Sequence, residues 1–417
     1  MKNKIYPFFA FFLVIFTAII FFQTKPLAEE TSTIQKSDDV VVVSNPKTPE
    51  TKMQIVFTEE LSIGEVEGDE NYMFGQNIFF NTDEDGNFYV SDVDAHRIQK
   101  YDPDGKYLLT IGRKGQGPGE FGSVSLVRFD KDNNIYIYDA GNNRISFFDK
   151  DGKYLRQIRL KERYSNPFIN SKGFIIANKL SVSEEGNVQK QISLDGLFDN
   201  EFNLVAELFI VETEFPLPTG MDASSMGDYI AKVFSIMAFR PLLAKTILVD
   251  NDFIYLGYPD KYEINVYSPE GKLGKKIARE YDPIPVSEKD KDSFVKMVSE
   301  DLPSVFTEDI REKAFKNVKY PKYKPAYQGF TLMENGWLAV VVNSIEDEYT
   351  LLDLFDQEGK YIAHFKTSVP AEGMMAGLLF FKNGKAYSVV TEDDYKFVKR
   401  YSIEIQEFKD EKWLQKK

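Results

Sequence analysis

Two segments of this chain repeat one another at a spacing of about 47 residues, and this repeat limits the possible folds more than any other feature. Each copy runs from a turn into a short strand that ends on an aspartate, Asp92 or Asp139. An arginine follows a few positions later, at Arg97 and Arg144, and opens an alternating strand that leads to a turn of the form Asp-x-Asp-Gly-Lys. Short strands and tight turns at this period are typical of the blades of a β-propeller.

Weaker copies of the repeat extend over most of the chain, at 173–196, 252–271, 336–359 and 384–403. Together with the two clear copies they predict an all-β, six-bladed propeller over residues 53–410. Only three strands are evident in the last blade, near 374–381, 385–391 and 396–403. The alternating segment Met53–Glu60 can supply its fourth strand, which would close the ring and cover two otherwise unpaired sheet edges.

Composition excludes several classes of function. Aromatic residues make up 14% of the chain, which suits pleated sheets, while the formal charge of -14 disfavours nucleic acid as a partner. The absence of cysteine removes disulfides, thiolate metal sites and a cysteine nucleophile.

The N-terminal residues predict export. Lys2 and Lys4 precede an apolar run, Ile5–Phe22, and two glutamates follow it. Residues 1–28 are therefore expected to be a signal peptide or a signal anchor, with the rest of the chain periplasmic, on the cell surface or secreted. Membrane contact is expected only through this segment, and the polar residues 29–52 are interpreted as a flexible tether. Nothing in the sequence specifies an oligomeric state.

Two insertions interrupt the repeat, at about 204–243 and 281–326. The second contains helix-like stretches at 287–300 and 307–318, with Ser287 and Thr307 as N-caps. Both insertions join an outer strand to the next inner strand, so they should emerge on the face that carries the turns at 93–96 and 140–143. We expect them to cap one mouth of the central channel; the alternative is that they only bury their own apolar faces on the disc.

The segment Gly115–Phe121, together with the Tyr-Val-x-Asp, Arg-Ile and Asp-x-Asp-Gly-Lys elements of the repeat, resembles the NHL-repeat family and related bacterial six-bladed propellers. The match is specific over residues 74–160 and degenerate from there to about 405. It implies a propeller that binds a ligand or partner. Related amidating lyases use several histidines around zinc, whereas this chain has only His96 and His364. Related sugar-lactone hydrolases hold one divalent ion with Glu, Asn and Asp, which this composition permits.

The repeated charged residues are interpreted as structural residues. Asp92 with Arg97, and Asp139 with Arg144, can form an ion pair across a hairpin turn in each blade. The ligand-binding candidates lie on the capped face, in the same turns or in the glycine-rich connector between blades: His96, Arg113, Lys114, Asn142 and Asn143. His96 occupies the position of Asn143 in the next repeat, so a turn residue is the competing interpretation. The connector matches neither a phosphate loop nor a dinucleotide fingerprint.

These observations favour an extracytoplasmic propeller that binds a protein, a peptide or a small saccharide-like ligand on its capped face. No catalytic residue, metal ligand or cofactor is assigned, although a divalent metal is compatible with the composition. The alternative is a metal-dependent hydrolase or lyase of the sugar-lactone type, with carboxylates lining the central channel. A module of a larger envelope assembly is a third hypothesis.

Overall fold

The computed structural model describes residues 40–49, 53–186, 188–217, 220, 222–239, 246–250, 252–300, 302, 306–343, 350–367, 369 and 380–407. The predicted export segment, 1–28, lies outside the described residues, as do residues 29–39 of the predicted tether. No helix of the described chain is both long enough and apolar enough to cross a membrane.

The strands form six sheets, which we call blades. Strands β1 (Val41–Asn45) and β2 (Met53–Ile63) come first along the chain. Blade 1 contains β3 (Ile78–Thr82), β4 (Phe88–Asp92), β5 (Arg97–Tyr101) and β6 (Tyr107–Ile111). Blade 2 contains β7 (Arg128–Phe129), β8 (Ile135–Asp139), β9 (Arg144–Phe148) and β10 (Tyr154–Arg159). Blade 3 contains β11 (Tyr164–Ile169), β12 (Ile175–Glu185), β13 (Val188–Phe198) and β14 (Leu204–Pro216).

The second half of the ring follows the same plan. Blade 4 contains β15 (Thr246–Asp250), β16 (Phe253–Gly257), β17 (Glu263–Tyr267) and β18 (Leu273–Arg279), with β1 added at its outer edge. Blade 5 contains β19 (Gly329–Leu332), β20 (Leu338–Val342), β21 (Thr350–Phe355) and β22 (Tyr361–Thr367). Blade 6 contains β23 (Phe380–Lys382), β24 (Lys385–Glu392), β25 (Tyr395–Glu407) and β2. The six-bladed all-β fold predicted from the repeat is confirmed.

Strand β2 closes the ring in the way that its alternating sequence predicts. It pairs antiparallel with β25, from Met53 opposite Glu407 to Ile63 opposite Val398. Its inward side chains, Ile55 and Ile63, are buried. The last blade thus takes its outer strand from the beginning of the chain, and its edge is not left open.

Each pair of neighbouring blades shares a buried apolar cluster. Between blades 6 and 1, Phe80 and Phe88 pack with Tyr387, and the Phe88 and Tyr387 rings meet edge to face with centroids 5.7 Å apart. Large side chains such as these contribute about 1.5–3 kcal/mol each when fully buried. The ring is therefore held by aromatic packing between sheets as well as by hydrogen bonds within them.

The structure differs from the predicted tether at β1, where Val41–Asn45 pairs in parallel with β18 instead of running free. The buried Asn45 explains why this short strand is held. Its Nδ2 donates to the carbonyls of Ala278 and Gly359, at 3.0 and 2.9 Å, and its Oδ1 accepts from the Tyr361 amide at 2.8 Å. One side chain therefore satisfies backbone groups of both blade 4 and blade 5.

The first insertion is shorter than predicted. Residues 204–216 form β14, the outer strand of blade 3, because they continue the pleated pattern and pair with β13 along its whole length. A helix, α1 (Ala223–Met237), follows, and its N-cap Asp222 accepts a hydrogen bond from the Ser225 amide at 3.0 Å. Residues 240–243 of the predicted insertion lie outside the described chain.

The second insertion contains the two predicted helices, α2 (Glu288–Glu300) and α3 (Glu308–Asn317). Ser287 caps α2 reciprocally with Asp290, whereas the N-cap Thr307 makes no side-chain hydrogen bond. Both helices pack on α1 around Phe234, whose ring stacks on Phe315 with centroids 5.8 Å apart. Phe215 of β14 joins this cluster, so the two insertions form one helical cap with its own apolar core.

The repeated Asp–Arg pairs hold the connectors between blades. Arg144 is 2% exposed and lies 3.2 Å from Asp139, and its guanidinium also donates to the carbonyls of Gln116, Gly117 and Glu120. In blade 1 the corresponding Arg97 lies 3.9 Å from Asp92 and is more exposed, but it donates to connector carbonyls in the same way. These contacts give the pairs a structural role.

The two arginines differ in burial, and this predicts different costs of removal. Arg144→Met should lower the free energy of unfolding by about 3 kcal/mol, since it removes the cationic partner of the buried Asp139 and leaves the carbonyls of Gln116, Gly117 and Glu120 without this donor. Arg97→Met is the matched control and should cost about 1 kcal/mol. Urea denaturation of both variants measures the difference, and equal losses would show that burial of the pair is unimportant.

Asn45→Ala should lower the free energy of unfolding by about 2 kcal/mol. The buried Tyr361 amide would lose its acceptor, and the carbonyls of Ala278 and Gly359 would lose their donor. Ser44→Ala, at the exposed neighbouring position, is the control and should have little effect. Chemical denaturation of the full chain provides the measurement. A neutral Asn45→Ala variant would mean that β1 contributes nothing to stability.

Candidate functional site

A concave site lies between blades 4 and 5, on the face that carries the helical cap. Its outer wall is the base of the second insertion, two short segments (281–286 and 322–326) that we call the neck. The Lys324 amide donates to the Ile284 carbonyl at 2.8 Å, and the Val286 amide donates to the Lys322 carbonyl at 3.1 Å. This pairing fixes the neck beside the ends of β20, β21 and β22, and the space between them is a cleft of about 330 Å³.

The cleft combines an apolar wall with a few polar groups, the usual composition of a small-molecule site. The apolar side chains come from the neck and from blade 5: Tyr281, Ile284, Pro325, Ala326, Val342 and Leu351. The polar side chains come from β18, the neck and blade 5: Arg279, Asp282, Asn343, His364 and Lys366.

A fully buried carboxylate, Asp353, organises the polar side of the cleft. It lies on β21 directly opposite His364 of β22, and its Oδ1 is 2.7 Å from His364 Nδ1. The same carboxylate accepts from the Tyr262 and Tyr361 hydroxyls, at 2.5 and 2.8 Å, and from Arg279 at 2.8 Å. Burying a carboxyl group is costly without hydrogen-bonding partners, and Asp353 has four.

Arg279 balances this charge and is itself held between aromatic rings. Its guanidinium carbon lies 4.3 Å from the ring centre of Tyr361 and 5.2 Å from that of Tyr262. Burial, followed by the negative charge of Asp353, raises the pKa of both tyrosines well above the ordinary value, so both hydroxyls remain donors. Asp353, Arg279 and the tyrosines form a rigid base for the cleft.

Strand β1 reaches the same site. Lys47, just beyond its end, accepts a hydrogen bond on its carbonyl from Arg279 at 2.8 Å, and its ammonium forms an ion pair with Asp282 of the neck. The segment predicted to be a tether therefore contacts two of the residues that line the cleft. No pattern in the sequence of residues 40–49 indicates this.

None of the predicted ligand-binding residues lines the cleft. His96 and Asn143 occupy matching turn positions with φ of 54° and 50°, in the left-handed region that Asn and His tolerate better than most residues. Asn143 donates to the carbonyls of Leu160 and Glu162, and Asn142 donates to Gly115 and Asp139. These hydrogen bonds give Asn142 and Asn143 a structural role in their turn.

The two cations of the glycine-rich connector also lie away from the cleft. Arg113 is exposed and pairs with Glu120 at 2.9 Å, and Lys114 is exposed on a short backbone bridge to Phe121. The pKa of Glu120 is lowered mainly by the Gly117 amide and then by Arg113. Arg113 thus supports the loop that Arg144 anchors, and the ligand roles assigned to these residues remain predictions.

The residues that do line the cleft were missed because they converge from distant parts of the sequence. One feature of the sequence does point to the site. Asp353 is the only charged residue of the strand Leu351-Leu352-Asp353-Leu354-Phe355, and an acid in an apolar strand indicates a buried partner. Identifying Arg279 and His364 as its partners requires the arrangement of the two blades.

The described residues include no group of three His, Asp or Glu side chains placed to hold a metal ion. A second hollow, of about 230 Å³, lies on the opposite face between blades 1 and 2 and contains several carboxylates. Asp83 accepts hydrogen bonds there from Asn87 and Tyr89, and Asp149 accepts from turn amides. These acids stabilise turns, and the described chain offers no ligand set for the metal-dependent alternative.

Comparison with known proteins supports the architecture. Residues 69–240 match the DUF5128 family, described as a 6-bladed beta-propeller. No curated protein matches the chain.

Solved structures extend the likeness over most of the chain. A Bacteroides fragilis protein described as exported superposes with a TM-score of 0.50 at 11% identity, covering 88% of this chain and 100% of that one. Virginiamycin B lyase from Staphylococcus aureus gives a TM-score of 0.41 at 10% identity, covering 84% and 99% of the two chains. A gluconolactonase from Xanthomonas campestris gives 0.36 at 12% identity, covering 79% and 88%. At these identities the chain is similar to such proteins in fold alone, and that fold is the six-bladed β-propeller.

Proposed function

We propose that this chain is an extracytoplasmic binding protein that holds a small ligand in the cleft between the neck and blade 5. The observation that carries the proposal is the cleft itself, where an apolar wall faces polar groups fixed by the buried Asp353. Its volume of about 330 Å³ is at the lower end of the range of about 300–1,000 Å³ usual for small-molecule sites.

The rigidity of the site supports binding. Arg279 and His364 are held by the same carboxylate, and the neck is fixed by backbone hydrogen bonds. A site whose side chains are already ordered loses little conformational freedom when a ligand enters. The proposed site lies at the base of the helical cap, at the boundary of two blades.

The extracytoplasmic location is supported by the N-terminal sequence, in which Lys2 and Lys4 precede the apolar run Ile5–Phe22. The similar Bacteroides fragilis protein is described as exported. Small saccharides and short peptides are the ligand classes that a cleft of this size suits. A metal-dependent hydrolase is not proposed, since no described cluster favours it.

Filling the cleft should weaken binding. Leu351→Trp places a large ring on the cleft wall, whereas Leu155→Trp makes the same change at an exposed position on β10 of blade 2. Saturation-transfer NMR with a panel of monosaccharides, disaccharides and tetrapeptides should identify probes that bind the full chain. For those probes, Leu351→Trp should weaken binding by at least tenfold, and Leu155→Trp should leave it unchanged.

Two outcomes would overturn the proposal. One is a panel in which no probe binds the folded full chain. The other is a bound probe whose affinity is the same in both tryptophan variants. Circular dichroism and the melting temperature of each variant show that a loss of binding does not come from unfolding.

A further inference from the structure

The outer edge of blade 2 carries a run of positive charge on an acidic protein. Residues 153–163 contain five cations and one acid, whereas the whole chain has a formal charge of -14. Four of these cations are exposed and follow one another along β10 and the connector to blade 3. We call them the basic row: Arg156, Arg159, Lys161 and Arg163.

The charge of the basic row is not balanced within the described chain. The acid beside it, Glu162, forms its ion pair with Lys179, at 2.5 Å. Arg159 lies directly opposite Arg144 on β9, but the carboxylate there, Asp139, is already held by Arg144 at 3.2 Å. Among the residues that the structure describes, no acid forms an ion pair with the row. An anionic partner would therefore find these cations unoccupied.

The surrounding structure holds the basic row in place. The Leu160 amide donates to the Asn143 carbonyl at 3.0 Å, and Asn143 Nδ2 donates back to the carbonyls of Leu160 and Glu162, at 3.0 and 3.1 Å. The guanidinium carbon of Arg156 lies 3.6 Å from the centre of the Phe147 ring. This stacking uses the flat face of the guanidinium and leaves the N–H groups at its rim to bind carboxylates.

Strand β10 is also a free sheet edge. It pairs with β9 on one side, and no described strand pairs with its other side. The outward amides and carbonyls of such an edge can pair with an added strand. Like charges on the edge disfavour pairing with a copy of the same strand, whereas they stabilise a strand of opposite charge.

The charge of this edge distinguishes blade 2 from other blades. The outer strand of blade 1, β6, has no charged residue, and the charged residues of the outer strands β2 and β14 are all glutamates. The charged residues of β10 are both arginines. Blade 2 therefore offers an edge that selects acidic strands, which its counterparts in blades 1, 3 and 6 do not.

We propose that the outer edge of blade 2 is the docking site for an extended acidic segment of a partner protein. This segment adds a strand to β10 and places its carboxylates on the basic row. A line of separate cations suits a linear polyanion better than a single small anion. The free backbone groups favour a polypeptide over an anionic polysaccharide or a lipid surface, since neither of these can extend a sheet. The inference does not depend on the cleft between blades 4 and 5.

A labelled peptide of alternating Glu and Thr, titrated with the full chain by fluorescence anisotropy, tests the proposal. We expect it to bind, with an affinity that falls as salt is added, because exposed charges attract it. The matching Gln–Thr peptide should bind at least tenfold more weakly. Hydrogen–deuterium exchange should show that the acidic peptide slows exchange within 153–163, as an added strand requires.

A variant without the basic row should lose the acidic peptide. Replacing the four cations of the row by Gln should weaken binding by tenfold or more. The control makes the same change in net charge at four exposed lysines elsewhere and should bind within twofold of the wild type: Lys131→Gln, Lys261→Gln, Lys296→Gln and Lys316→Gln. The melting temperature shows whether each variant is folded. If the fourfold variant is not, Arg159→Gln with Lys161→Gln should still weaken binding at least threefold.

Further probes separate strand addition from attraction of charge alone. A fully N-methylated acidic peptide keeps its carboxylates but cannot donate backbone hydrogen bonds, and it should bind at least tenfold more weakly. Equal binding of the methylated peptide, or equal binding of the acidic peptide to the row variant and the wild type, would overturn the proposal. So would row-dependent binding of heparin or of phosphatidylglycerol vesicles without row-dependent binding of the peptide. Sedimentation that shows a row-dependent dimer would assign the edge to a second copy of the chain instead.

Discussion

The pairing of β2 with β25 is the contact on which the rest of the molecule depends. Six twisted sheets form a ring only if the first and last blades meet, and here they meet through a strand taken from the beginning of the chain. With that strand in place, Phe80 and Phe88 of blade 1 pack on Tyr387 of blade 6 as neighbours within one continuous core. Without it, two apolar sheet faces and an unpaired edge would be open to water. Strand β1, which precedes β2 in the chain, lies along the outer edge of blade 4.

The candidate site is a consequence of that geometry. Blade 4 supplies Arg279, blade 5 supplies Asp353 and His364, and the neck between the two blades supplies the opposite wall. Asn45 of β1 binds backbone groups of both blades, so the beginning of the chain fixes the boundary at which the cleft lies. The helical cap has its own apolar core around Phe234, and Asp290 of α2 forms an ion pair with Lys324 of the neck at 2.6 Å. Its role in the proposed binding is therefore to shape the cleft wall.

The sequence was sufficient for the parts of the structure that are encoded locally and repeatedly. The Asp–x–Asp–Gly turns, the alternation within each strand and the N-caps of helices all act within a few residues. The two helices of the second insertion accordingly lie close to their predicted positions, whereas the position of α1 was not predicted. Asp92–Arg97 and Asp139–Arg144 could be paired because each spans one hairpin. The residues that line the cleft could not be paired from the sequence in this way. Asp353 and Arg279 lie on different blades, and β1 pairs with a strand far along the chain, so only the closed ring brings them together.

Hydrogen–deuterium exchange of the full chain, followed by mass spectrometry of peptides that cover 41–49 and 53–63, tests the central claim that the beginning of the chain closes the ring and completes the cleft. The account predicts that 53–63 exchanges as slowly as β24 and β25, and that 41–49 is protected well above an unstructured peptide. Exchange of 53–63 at the rate of an unstructured chain, with β24 and β25 still protected, would contradict it.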